Sequence, residues 1–378
     1  MTNRERLQSI LNHKEADRVP LDIGAGKCCK MHVRIYKKLL DHFGIKDTVR
    51  ICARMSQAAL TCDEFLEKLE CDVRAPYPVF QKSAKPAEEW EEADGSYLRD
   101  DWGTVMRMPK EGLYYDMVKA PLAGTLDDTD LNYTFPSLPF VLPEAVIQAK
   151  AYQEAGYPVC LPEQYGNGFL QTGPKVFGYE DWMMMLALKD KRIYVFMEEL
   201  LERKMQFYDH VTEAFGDSID VIMETEDLGT QTGPYIDPEM FRQLLKPYHK
   251  KLYDHIRKRT GAKIFLHSCG AIAKLIPDLI DIGLDILNPV QIGATGMDPV
   301  FLKREYGKHL TFWGGGIDTQ KMLPYGTPAE IRDHVRRNIE IFSKDGGFVF
   351  SAVHNIQADV PLENVLAMWE AFKEFRVY

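Results

Sequence analysis

Short apolar runs recur along the chain, and longer stretches with helical spacing separate them. The runs fall at 19–23, 73–80, 157–161, 219–224, 263–267, 285–287, 310–313 and 347–353. Most lack the strict alternation of a half-exposed strand, which predicts parallel strands covered on both faces. Helical patterns fall at 3–13, 192–214, 238–260, 271–282, 299–306, 328–342 and 361–375. In the stretch 238–260, Leu244, Leu245, Tyr248, Leu252 and Ile256 keep one register, and Pro247 predicts a kink. Pro361 suits a first helical turn. Strand–helix alternation with eight strands predicts an α/β fold, a (β/α)8 TIM barrel, with a doubly wound sheet as the alternative.

Residues 88–135 break this rhythm. Aromatics, glycines and short alternations around Trp90, Tyr97, Trp102 and Tyr115 predict β-hairpins. They read as an insertion after the second strand that caps one barrel mouth; a surface excursion without a role is the alternative. No repeat, low-complexity tract or long linker interrupts the remainder, so residues 1–378 are expected to form one barrel domain.

Composition narrows the function. The 378 residues are 45% hydrophobic and 27% charged, enough for a large core. Net charge is −10, so the surface repels phosphate backbones and nucleic acid is not an expected partner. No apolar run reaches the roughly 18 residues of a membrane span. The start, MTNRERLQSILNHKEADRVP, has no apolar signal core and reads as a mature N-terminus. Seven cysteines, an odd number spread widely, do not form a secreted disulfide framework; a reducing cytoplasm is expected.

In a barrel, chemistry gathers at the C-terminal ends of the strands. Seven of the eight expected ends carry polar residues. They include Asp22, Glu163, the trio Glu224, Glu226 and Asp227, His267 with Cys269, Asn288 with Gln291, Asp318, and His354. His267 and Cys269 stand two apart, so on an extended segment both face one space. That is ligand spacing for a thiolate–imidazole metal, zinc being the natural choice. The bland alternative is a hydrogen-bonded core histidine and an inert thiol. His354, at the end of the eighth strand, can reach across a closed mouth and complete a set of three ligands. Among the acids, alternation puts Glu224 and Glu226 on one face and Asp227 on the other. They are candidates for a fourth ligand, a general acid or a substrate clamp, or else they cap the loop before Gly229. Asp22, Tyr77, Glu163, Asn288, Gln291 and Asp318 are candidates for binding substrate. Gly314-Gly315-Gly316 could let a ligand approach the backbone, but no phosphate-loop pattern follows. The tetrapeptide Gln-Thr-Gly-Pro occurs at 171–174 and again at 231–234, and both copies read as turns.

Several motifs together resemble the uroporphyrinogen decarboxylase superfamily, which also holds cobalamin-dependent methyltransferases. They are Arg4-Glu5-Arg6-Leu7, Asp17-Arg18-Val19-Pro20, Asp227-Leu228-Gly229, Pro238-Glu239-Met240-Phe241 and His267-Ser268-Cys269-Gly270. Trp313-Gly314-Gly315-Gly316-Ile317-Asp318 and Val353-His354-Asn355-Ile356 complete the set. The resemblance spans essentially the whole chain and implies a (β/α)8 barrel. The decarboxylase branch carries an arginine motif for substrate carboxylates after the first strand. Here that stretch reads Asp22-Ile23-Gly24-Ala25-Gly26-Lys27-Cys28-Cys29-Lys30, without the arginine pair.

The methyltransferase branch binds zinc through His-x-Cys and a later Cys. His267 and Cys269 match this motif, and the later position is His354, which is also the residue of the decarboxylase branch. The resemblance therefore implies a zinc-dependent methyltransferase with metal ligands His267, Cys269 and His354 and catalytic acids among Glu224, Glu226 and Asp227. It would move a methyl group between a small-molecule donor or acceptor and cobalamin, a corrinoid carried by a separate partner protein. The alternatives are a metal-independent decarboxylase, in which Asp227 and His354 handle the proton, and a non-catalytic tetrapyrrole-binding protein. A homodimer is the default assembly.

Overall fold

The computed structural model describes residues 1–24, 26, 29–81, 88–162 and 164–378. Glu163, and Ala25, Lys27 and Cys28 after the first expected strand, lie outside the described residues. Within them the strands are β1 (Arg50–Ala53), β2 (Ala58–Leu60), β3 (Glu88–Glu92), β4 (Gly95–Arg99), β5 (Val105–Pro109) and β6 (Asp116–Lys119). They continue as β7 (Cys160–Leu161), β8 (Val221–Thr225), β9 (Lys263–His267), β10 (Ile286–Asn288), β11 (Thr311–Trp313) and β12 (Phe348–Val349). β7 to β12 form one curled parallel sheet in which chain neighbours are sheet neighbours. Their side chains are almost wholly buried on both faces, which is why the sequence shows runs rather than alternation. Helices cover the outer face. The longest, Lys191–Phe215, buries Phe196, Leu200, Phe207 and Val211 along one stripe. The expected helices at 299–306 and 328–342 form with those bounds.

The first two expected strands are reduced to isolated rungs, the second with a further antiparallel bridge from Phe80 to Val141. Leu21 makes one parallel bridge to Phe350, beside β12, and Arg74 makes one to Val159, beside β7. Pro20, Pro76 and Pro78 have no N–H to give to a ladder. A side chain takes over instead. The Leu21 N–H donates to Asp72 Oδ2 at 2.7 Å, and the Asp72 N–H donates to the Leu21 carbonyl at 2.9 Å. The same carboxylate accepts from Arg6 Nη1 at 2.6 Å and from Arg18 Nη1 and Nη2 at 2.7 and 2.9 Å. Arg6 lies on the first helix, Asn3–Leu11, whose start is held by a Thr2–Glu5 capping box. The helix is thereby pinned to the Leu21 and Asp72 segments, beside the edges of the sheet.

Three local expectations change. The stretch from Pro238 to Arg257 is not kinked by a simple break. Phe241–Leu245 winds as a π-helix ahead of Lys246–Arg257, so Pro247 sits in the first turn of the second part, where no N–H is needed. Pro361 precedes its helix as the N-cap of Leu362–Phe375. Residues 171–174 are not a turn but part of the helix Phe169–Phe177. Gly173 is there because a Cβ would run into the Trp182 indole.

Between Glu88 and Lys119 an antiparallel meander, β3 to β6, replaces the strand–helix rhythm. It has a small core of its own from Leu98, Met106 and Tyr115. Trp102, in the turn after β4, meets Phe135 edge-on and packs at a tilt against Tyr165, and Tyr114 at the β5–β6 turn bonds Gln357. The meander is thus tied to the loops after β7 and after β12.

Removing one partner of a buried ion pair strands the other charge, at a cost of about 3–5 kcal/mol. Asp72→Ala is expected to lose that much in urea denaturation. Glu88→Ala, which breaks the exposed Arg99 pair, should lose less than about 1 kcal/mol. Equal losses would show that Asp72 does not hold the sheet edges together.

Candidate metal centre at the strand ends

Register decides which side chains meet. Thr225 is paired with His267, and His267 with Asn288, so the three stand in one row across β8, β9 and β10. Alternation along β8 and β9 puts Met223, Thr225, Phe265 and His267 on the inner face and sends Glu224 to the helices. On the inner side the Phe265 ring meets Trp313 at 5.6 Å, and the Trp313 indole N–H donates to Asp22 Oδ2 at 3.0 Å.

His267, Cys269 and His354 converge, with their donor atoms all within 4.8 Å of one another. Cys269 Sγ is 3.4 Å from His267 Nε2, and the two imidazole rings meet edge-on with centroids 5.5 Å apart. The tautomer of His267 follows from its neighbour. Asn288 Nδ2 donates to the Trp313 carbonyl at 2.7 Å, which turns Asn288 Oδ1 toward His267 Nδ1. Nδ1 must therefore carry a proton, and Nε2, the acceptor nitrogen of the neutral ring, faces Cys269. Burial, and then the adjacent His267, push the His354 imidazole down to about 4 against the pull of Asp227. It is neutral at pH 7 and has a lone pair to give. Two imidazoles and a thiol, one imidazole oriented by a buried amide, fit the donor set of a zinc ion.

The acidic trio divides. Asp227 stays at the cluster. Its Oδ1 accepts the Cys269 N–H at 2.9 Å and lies 3.9 Å from His267 Nε2, and its Oδ2 accepts from Gln171 Nε2 at 2.9 Å. Glu224 and Glu226, expected as catalytic acids, belong to the helix layer instead. Glu224 pairs with Lys204 Nζ at 2.9 Å and takes the Tyr208 hydroxyl. Burial and the neighbouring carboxylate push Tyr208 well above its ordinary range, so it remains a donor. Glu226, fully buried, accepts the Leu170 and Gln171 N–H groups at 3.0 and 2.8 Å and faces His249 Nε2 at 3.1 Å. It caps the helix Phe169–Phe177.

The substrate-binding candidates scatter. Asn288 is wholly buried with both ends of its amide engaged, so it orients His267 rather than meeting a substrate. Gln291 is likewise spent within the protein. It accepts the Gly270 N–H at 2.7 Å and donates to Gln231 at 3.1 Å, which welds the loops after β8, β9 and β10. Asp318 Oδ1 accepts the Gln320 N–H at 2.8 Å and shapes the turn after β11. Asp22 lies buried on the inner face, and Tyr77 is half-buried with its N–H given to Gln148 at 3.0 Å. The three glycines after Trp313 serve packing. A Cβ on Gly314 would strike the Pro289 carbonyl, and one on Gly316 the Phe350 ring. Sequence reading missed Gln171, Lys204 and His249. Only the repeated Gln-Thr-Gly-Pro hinted at the first, and nothing local marks a helix residue that serves a distant strand end.

The uroporphyrinogen decarboxylase (URO-D) family model matches residues 170–375, and the chain belongs to that family. A methyltransferase from Methanosarcina mazei has a similar structure, with a TM-score of 0.63 and 18% identity over 99% of both chains. Dispersin B is a remote match, with a TM-score of 0.35 and 12% identity over 63% of this chain and 78% of that one. So is a GH113 β-1,4-mannanase, with a TM-score of 0.34 and 9% identity over 61% of this chain and 78% of its own. No curated protein matches the sequence. Among the described residues, no helix is long and apolar enough to cross a membrane.

If Glu224 serves the helix layer, Glu224→Ala should cost about 3–5 kcal/mol by stranding Lys204. It should leave the metal stoichiometry of the folded protein unchanged. Loss of metal at full stability would return Glu224 to the centre.

Proposed function

We propose that this protein is a zinc-dependent methyltransferase that moves a methyl group between a small molecule and cobalamin carried by a partner corrinoid protein. The observation that supports it is the meeting of His267, Cys269 and His354 donors within 4.8 Å at the strand ends. URO-D family membership and a whole-length fold shared with a protein described as a methyltransferase agree with it. Zinc held there would act as a Lewis acid on the heteroatom that gives or receives the methyl group. The protein's own residues supply the rest. Asn288 would keep Nε2 of His267 directed at the metal, and Cys269, deprotonated on binding it, would supply the charge. Asp227, beside His267, takes up or delivers a proton at the heteroatom. Asp22, Tyr77 and Glu163 are the remaining candidates for contact with the substrate.

The same reading closes the sheet as a (β/α)8 barrel, with the Leu21 and Arg74 segments as its first two staves. It treats 1–378 as one domain and 88–135 as a cap beside the mouth where the corrinoid protein docks. Such an enzyme works in the cytoplasm, with the homodimer as its default assembly.

Metal content per chain, for protein purified without added metal, tests the centre. About one zinc in the wild type is expected, lost in Cys269→Ser. Methyl transfer to free cob(I)alamin, screened with methylated amines, ethers and thioethers, tests the activity. Asp227→Asn should then lower kcat by about 100-fold or more while zinc is retained. No metal in either protein, with turnover of uroporphyrinogen, would replace this reading with a metal-independent decarboxylase. Tight tetrapyrrole binding with neither metal nor turnover would make the protein a carrier.

A further inference from the structure

We infer that Gln171 holds Asp227 out of the ligand shell of the metal centre and so reserves one position of that centre for a substrate. The inference rests on the metal-site reading above. Three protein donors leave a tetrahedral zinc with one more position, and a carboxylate is a competent fourth ligand. Asp227 Oδ1 already lies 3.9 Å from His267 Nε2. Two ligand atoms on one tetrahedral zinc stand roughly 3.4 Å apart, given zinc–ligand bonds of about 2.0–2.3 Å. Asp227 thus stands just outside the three converging donors, and a turn of its side chain toward them would supply a fourth protein ligand.

Gln171 opposes that rotation from two sides. Its Nε2 donates to Asp227 Oδ2 at 2.9 Å, and its Oε1 faces the Asp227 N–H at 3.4 Å. The clamp grips carboxylate and backbone of one residue, while the Cys269 N–H holds Oδ1 at 2.9 Å. Gln171 is itself fixed, because it lies in the first turn of the helix Phe169–Phe177. Its N–H and that of Leu170 are bound by Glu226 at 2.8 and 3.0 Å, and His249 braces Glu226 from behind at 3.1 Å. No side chain fits at Gly168, where a Cβ would run into the Glu226 carboxylate. The carboxylate suits the positive end of the helix dipole. Glu226 and Gln171 are thus positioning residues, one anchoring the helix start and the other transmitting that position to Asp227.

The test uses the full chain loaded with cobalt(II), whose d–d absorption reports the ligand set, and azide as a probe of the exchangeable position. Wild type should show an azide-dependent spectral change. Gln171→Met, close in volume but without hydrogen bonds, should show a shifted cobalt spectrum and no azide response. Its metal affinity should change by about 10-fold, here upward. Gln171→Glu, which has no donor for Oδ2, is the second variant should the first fail to fold, and the same shift is expected. Adding Asp227→Asn to either variant should restore the wild-type spectrum and azide response. A wild-type spectrum and response in both single variants would overturn the inference and leave the metal site standing. Absence of cobalt binding by the wild type would overturn the metal reading and this inference together.

Discussion

The Asp72 carboxylate is the point on which the architecture turns. It receives two guanidinium groups and a backbone N–H. It stands where prolines have removed the donors that a regular ladder would use. The six-stranded sheet would otherwise end at β7 and β12 with open edges. Isolated bridges set the Leu21 segment beside β12 and the Arg74 segment beside β7, and Asp72 ties those two segments to each other. His354, after the last strand, is then within reach of His267 at the end of β9.

The centre shows how a strand sorts charge. Three acids lie within four residues, yet only Asp227 faces the His–Cys cluster. Glu224 and Glu226 point to the helices, where Lys204, Tyr208, His249 and a helix start absorb them. These are not idle contacts. Lys204 Nζ also donates to the carbonyls of Tyr165 and Asn167 at 3.1 Å, so the outward acids fix the loops that frame the inner face. The negative charge of the strand end is divided between a buried scaffold and a single acid at the site.

Much of this was legible in the chain. Six of the eight apolar runs became the strands of the parallel sheet, because burial on both faces leaves a continuous apolar signature. Two became isolated rungs, because proline content weighs against a ladder in a way that hydrophobicity does not record. The pairing of His267 with Cys269 was legible from period two alone. The same period placed Glu224 and Glu226 on one face and Asp227 on the other, but not which face was inner. Asn288 and Gln291 were readable as polar strand ends. Whether an amide meets a substrate or a neighbouring side chain depends on which donors and acceptors the adjacent strands present.

Order along the chain settles what is local. It sets the alternation of strand and helix, the face shared by residues two apart, and the caps and prolines at helix ends, because each depends on backbone geometry over a few residues. Contacts between distant segments settle the rest. The meeting of His354 with a pair 85 and 87 residues earlier, the tautomer of His267 and the hold of Gln171 on Asp227 arise only after the sheet has curled. Hydrogen bonds and donor convergence act over about 3 Å, and only tertiary packing brings residues so far apart in sequence within that range.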